Sequence, residues 1–155
     1  MESDFDRIGG MPTLGIIIES FVERCFSDPM IGFFFRKASI ARVKHFELQH
    51  AAEHLGGPMT YEGRPLRIAH QSHSIMGGQF MRRLKILQEV LQEHGVPQEI
   101  QDRWLAYHET LRSEVTKDLR SQCALSVEGS HEYDSEEVGS ESRSQSEVVN
   151  RCDKA

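Results

Sequence analysis

The side chains best suited to chemistry in this chain are its histidines, eight among 155 residues. Two of them, His94 and His131, fall at a helix end and in a polar tail, and read as solvated. His108 lies on the inner side of a candidate helix, where a packed, hydrogen-bonded imidazole is the ordinary state. The other five form two groups. His45, His50 and His54 share one helical stretch, and His70 and His73 follow a glycine-rich connection. Imidazoles so placed serve as metal ligands or as general acids and bases.

Three metal chemistries compete for them. His50-Ala51-Ala52-Glu53-His54 matches H-x-x-E-H, which sets two imidazoles and a carboxylate on one helical stretch. A zinc hydrolase would ligate the ion through His50 and His54 and use Glu53 as general base, but it needs a further ligand. Glu47-Leu48-Gln49-His50 is the E-x-x-H step of a di-iron carboxylate bundle. Its only other copy, Glu128-Gly129-Ser130-His131, sits in the tail. The third chemistry is haem, which needs a strong axial ligand, an apolar and aromatic slot, and an open opposite face. His70 supplies the ligand, and Phe21, Phe33, Phe34, Phe35, Phe46 and Phe80 supply aromatic bulk. Arg42 and Lys44 flank the apolar face of their helix, where they could meet propionate carboxylates. By composition alone, the simpler reading of those phenylalanines is an ordinary core.

The elements that must position these groups are helical. Leu14, Ile17, Ile18, Phe21, Val22 and Cys25 form one stripe at helical spacing, from Met11-Pro12 to Ser27-Asp28. A short segment, Met30 to Phe35, follows Asp28-Pro29. Ser39 can cap the next helix, with Ile40, Val43, Leu48, Ala51 and Leu55 on its buried side, and Gly56-Gly57-Pro58 stops it. After an irregular connection over 56–66, a short helical piece spans Arg67 to Gln71. Ser74 or the residues just after it begin a long helix carrying Ile75, Phe80, Leu84, Leu87, Val90 and Leu91. Pro97 opens the last helix, with Ile100, Trp104, Leu105, Tyr107, His108, Leu111 and Val115 inward. No stretch sustains period-2 alternation, so the expected class is all-α. The glycine-rich middle connection exceeds what a bundle needs, and loops of that kind often position a ligand.

Composition bounds the rest. Residues 122–155 hold eight acids and three bases, five charges of the net −6. So Ser- and Glu-rich a segment cannot bury enough apolar surface to offset its ordering entropy, and it reads as a disordered tail. The expected domain is residues 1–121, near neutral and without the basic stripe that nucleic acid demands. No run of about 18 apolar residues spans a membrane. The N-terminus lacks a signal-peptide layout, so the cytoplasm is the expected location. Cys25, Cys123 and Cys152 are scattered and odd in number, which fits free thiols.

A set of ordered motifs then carries a family likeness. Phe5-Asp6-Arg7-Ile8-Gly9-Gly10 is similar to the Y-D-K-I-G-G signature of truncated haemoglobins. Phe21, Asp28-Pro29 and Phe34-Phe35 follow at the family's spacing. So do Leu55-Gly56-Gly57-Pro58, Tyr61-x-Gly63, Leu66-x-x-Ala69-His70, Gly95-Val96-Pro97 and Trp104 through His108. The chain resembles this family, most closely its group I (N) type, over roughly residues 4–118.

That resemblance implies a two-over-two helical sandwich holding one b-type haem. It implies His70 as proximal iron ligand, Phe35 stacked on the haem, Phe21 as a distal aromatic wall, and Val43, Phe46 and Glu47 facing the bound ligand. Tyr61, Leu66, Phe34, Val22 and Phe80 complete the expected cofactor-binding set, with Arg42 and Lys44. Gly9-Gly10 and Gly56-Gly57 match the pairs that keep the shortened fold compact. The implied function is reversible binding of a diatomic gas, dioxygen or nitric oxide. Within the same family, the alternatives are a six-coordinate haem for redox or electron transfer, and NO detoxification with a reductase partner. Val22 stands where many members of this subgroup carry tyrosine, and Glu47 where they carry glutamine. Val22 cannot donate a hydrogen bond, and Glu47 donates only if protonated. His45 and His50 are the available internal iron ligands, and His73 is the alternative to His70 if the register slips. The oligomeric state stays open between a monomer and a weak dimer.

Overall fold

The structure, a computed structural model, describes residues 2–118. The acidic tail expected over 122–155 lies outside the described residues, as do Cys123 and Cys152. Among the described residues seven helices run in order: α1 Asp4–Arg7, α2 Gly10–Ser27, α3 Ile40–His54, α4 Leu66–His70, α5 Gly77–Glu93, α6 Gln98–Thr110 and α7 Arg112–Val115. A 3₁₀ turn, Gly32–Phe35, links α2 to α3. There is no strand among the described residues.

Helix α2 forms where the apolar stripe predicts it, and all six stripe residues are buried. It packs on both α3 and α5, while α5 packs on α6. The two helical pairs thus lie face to face, and α7 closes against α4. Leu14, Ile17, Phe21, Leu87, Leu91 and Trp104 are fully enclosed between them. Side chains of that size contribute about 1.5–3 kcal/mol each on burial.

Ser39 caps α3 as expected, its Oγ accepting from the Arg42 N–H at 3.4 Å. Helix α1 has no counterpart among the expected elements. Ser3 opens it, with Oγ accepting from the Asp6 N–H at 3.1 Å and donating to Asp6 Oδ2 at 2.6 Å. The helix lies on the end of α3, where the Phe5 N–H donates to the Leu55 carbonyl at 2.9 Å. That approach needs Gly57, because a Cβ there would sit 2.6 Å from the Phe5 ring.

Four details differ from the periodicity. Ile40, in the first turn of α3, is 39 % exposed. Phe33 is 45 % exposed and stacks on Phe34 instead of entering the interior. Helix α5 begins at Gly77 and not near Ser74. The Ile75 carbonyl, which an earlier start would use inside the helix, accepts from the Lys117 N–H at 2.9 Å. The last helix is broken at Leu111 into α6 and α7.

Candidate functional site

A cavity of about 590 Å³ opens between α2, α3, α4, α5 and the α6–α7 junction. Its volume falls within the roughly 300–1,000 Å³ of cofactor sites. Of the residues singled out in the sequence, His70, Phe35, Phe21, Phe34, Phe46, Val43, Glu47, Val22, Arg42, Tyr61, Leu66 and Phe80 all line it. Lys44 does not. Its ammonium donates to Glu19 at 3.0 Å and Glu23 at 2.8 Å, so it faces a separate shallow cleft between α2 and α3. His45 lines that cleft too, away from the cavity.

His70 ends the short helix α4. Its Nδ1 lies 2.8 Å from the Leu66 carbonyl, one helical turn earlier. A carbonyl can only accept, so the ring donates through Nδ1–H and keeps the Nε2 lone pair. Nε2 has no hydrogen-bond partner among the described residues, and the ring lines the cavity. Burial pushes the His70 imidazole below its usual pKa, against the opposing pull of the Leu66 carbonyl. A neutral imidazole with a held tautomer is the form a metal ligand requires. His73 also lines the cavity but makes no such bond; its ring stands edge-on to Phe34 at 5.9 Å.

Tyr61 is placed by a closely packed loop. Gln49 and Glu62 bind reciprocally, the Gln49 amide donating to the Glu62 carboxylate and the Glu62 N–H donating back, each at 3.2 Å. The tyrosine ring then lies over Gly63, where a Cβ would meet it at 2.2 Å. Tyr61-x-Gly63 is therefore a packing motif. The Tyr61 N–H also donates to Glu53 at 3.3 Å, so the carboxylate proposed as a zinc-site base anchors the loop. His50 Nε2 and Tyr107 Oη are 3.1 Å apart, and His54 stacks on the Tyr107 ring at 3.8 Å. No group of three or more His, Cys, Asp or Glu among the described residues is placed to hold a metal. Among the described residues the zinc and di-iron readings thus find no completing ligands, and Glu128-Gly129-Ser130-His131 lies outside them.

Sequence reasoning did not place Lys37, Arg64, Arg83 or His108 in the site, and all four line it. Arg83 on α5 donates through Nη2 to Glu47 at 2.7 Å, reaches His108 Nδ1 through Nη1 at 3.3 Å, and lies over the Phe21 ring at 4.8 Å. Burial works against the Arg83 charge, but Glu47 and Cys25 together outweigh it, so the net direction is upward. Glu47 accepts from this cation through Oε1. Burial, with Arg83 beside it, holds His108 well below the usual histidine range. The available signal was position: Arg83 follows Phe80 by three residues and precedes Leu84 on the buried stripe.

The residues present suit a porphyrin. One imidazole with a free Nε2 faces a slot walled by Phe21, Phe34, Phe46 and Phe80. The exposed Lys37, Arg42 and Arg64 stand at its margin. None of those three forms an ion pair among the described residues, so each is available to an incoming carboxylate.

The comparisons with known proteins agree with this architecture. The family model of bacterial-like globins matches residues 3–117. The group 1 truncated hemoglobin GlbN of Mycolicibacterium paratuberculosis is 34% identical over 97 residues, covering 63% of this chain and 71% of the relative. GlbN of a Synechocystis species is 27% identical over 104 residues, covering 64% and 84%. Among solved structures, the truncated hemoglobin of Tetrahymena pyriformis in its Fe(III) form superposes with a TM-score of 0.68 at 20% identity, covering 74% of this chain and 98% of that one. The 2/2 hemoglobin of a Synechococcus species, in a cyanomet state with covalently attached heme, gives 0.71 at 23% identity, covering 76% and 100%. The chain belongs to the bacterial-like globin family, as a truncated, two-over-two globin most like group 1. Membership implies haem as prosthetic group and a diatomic gas as its ligand.

Proposed function

We propose that the protein binds one b-type haem through His70 Nε2 and reversibly holds dioxygen, with nitric oxide as the second candidate gas. The observation that carries the reading is the His70 ring, on the cavity wall, with Nδ1 committed to the Leu66 carbonyl at 2.8 Å. When bound, haem would supply an iron centre able to take a small gas. Phe21, Phe34, Phe46 and Phe80 would exclude water from it, and Arg42, Arg64 and Lys37 would receive its propionates. Val22 and Val43 offer no hydrogen bond, so a polar contact to the gas would come from other lining groups, such as the Arg83–Glu47 pair or His50.

The five-coordinate reading is favoured over an internal sixth ligand. His45 faces another surface, and His50 Nε2 is engaged by Tyr107. A cytoplasmic setting belongs to the same proposal, and NO dioxygenation with a reductase partner is its alternative. No described helix is long and apolar enough to cross a membrane. Titration of the apoprotein with hemin tests the core of it. An intense Soret band at one equivalent is expected for wild type and for His73→Ala, and its loss or marked weakening for His70→Ala. Loss in His73→Ala alone would transfer the axial role, and a wild-type protein that takes up no hemin would end the haem reading.

A further inference from the structure

The cavity is electropositive within a near-neutral domain. Its walls carry Lys37, Arg42, Arg64 and Arg83 against a single carboxylate, Glu47, while residues 1–121 hold fifteen Lys and Arg against sixteen Asp and Glu. Three of those cations stand exposed at the margin, where two haem propionates would engage them. Arg83 stands apart, over Phe21 and tied to Glu47 across the slot. A guanidinium has five N–H donors. Glu47 takes one through Nη2 and His108 one through Nη1, so further donors remain on a side chain that lines the cavity.

A fixed cation within low-dielectric walls concentrates small anions and hydrogen-bonds them with charge assistance. A neutral diatomic gains far less from it. We propose that Arg83 sets how tightly this cavity holds small monovalent anions, the class of azide and fluoride, relative to neutral ligands, and that Glu47 competes with them for the guanidinium. This rests on the haem reading, since the anion would also ligate ferric iron. Glu47 and the anion carry the same sign and share one donor group, so removing the carboxylate's charge frees Arg83. The two partners of the pair thus act in opposite directions, which a purely structural ion pair does not predict.

The test is equilibrium titration of the ferric, hemin-loaded protein with sodium azide and with sodium fluoride, followed by absorption. Imidazole serves as the neutral comparator. Arg83→Met should weaken both anions by tenfold or more and change imidazole by less than about threefold. Arg83→Lys should retain part of the anion affinity, and Glu47→Gln should raise it severalfold. The proposal is overturned if Arg83→Met binds anions as tightly as wild type, or if it loses imidazole in equal measure. It is also overturned if Glu47→Gln weakens the anions as much as Arg83→Met does. Should Arg83→Met fail to hold haem, the Lys and Gln variants decide alone, by the same opposite signs. A wild-type protein without a Soret band would instead fail the haem reading itself, before any anion is added.

Discussion

At the residue scale, His50 and His108 on the cavity wall, and His54 outside it, are pushed below the usual histidine pKa. His108 is 6 % exposed, and burial depresses it, with Arg83 adding to the effect; His50 and His54 are lowered chiefly by burial. A histidine whose folded pKa lies below its unfolded value binds more protons unfolded than folded across the interval between them. Stability is therefore complete above the unfolded value of 6.5 and falls as pH drops below it. Thermal melts of the apoprotein should show a Tm that holds between about pH 8 and about pH 6.5 and falls from there toward about pH 5. His108→Gln should flatten that slope, whereas an unchanged slope would place the acid sensitivity on other groups. Cys25 belongs to the same buried set, its thiol pushed up to about 12 mainly by burial. It behaves as a small apolar side chain and stays unreactive to alkylating reagents in the folded protein.

Chemistry at this scale was legible in the sequence where one residue type has one use. His70 stood out because it follows a glycine-rich connection and completes a spaced motif. Arg83 did not, because an arginine on a helix is usually solvated. Only its neighbours Glu47, His108 and Phe21, which come from three other helices, give it a role. Lys44 shows the converse: flanking an apolar face placed it near the cavity on paper, but Glu19 and Glu23 on α2 hold it on the other side.

At the scale of elements, Asp28 joins three of them. It ends α2, its Oδ1 accepts the Met30 and Ile31 N–H groups at 2.9 and 3.2 Å, and its Oδ2 accepts from Arg82 Nε of α5 at 2.8 Å. It thereby fixes the chain that carries Phe34 and Phe35 to the cavity. Burial works to raise its pKa, but Arg82 and the Met30 N–H outweigh it, so the net direction is downward. The stabilisation is present above the ordinary carboxylate value and is lost as pH falls through the lowered one. Asp28→Ala would leave two N–H groups and Arg82 without their acceptor, and should cost about 1–3 kcal/mol, read from chemical denaturation. A loss below about 0.5 kcal/mol would mean that water replaces the carboxylate without penalty. Helix spans were largely readable because the stripe of α2 and the caps at Ser39 and Pro97 are local signals. The start of α5 was not, since the N–H of Lys117, over forty residues on, takes the Ile75 carbonyl.

At the scale of the whole molecule, no described cavity residue lies beyond Val115. A protein ended after Ser121 should therefore bind hemin with the affinity and Soret position of the full chain. A weaker or shifted band would bring the acidic segment into the site. The composition shift that marks this boundary is visible in the amino-acid order alone, through Ser and Glu content and charge.

What the order of residues determined was the local grammar: helical periodicity, capping positions, glycine pairs and the imidazole after Ile68-Ala69. These depend on neighbours within a turn or two, and their energies are set before the chain packs. The polar character of the pocket was decided only by packing. Glu47, Arg83 and His108 are far apart along the chain, and the crossing of α3, α5 and α6 gathers them around one apolar ring. Charge in a low-dielectric enclosure depends on which groups face each other, and no spacing rule along a single helix contains that information.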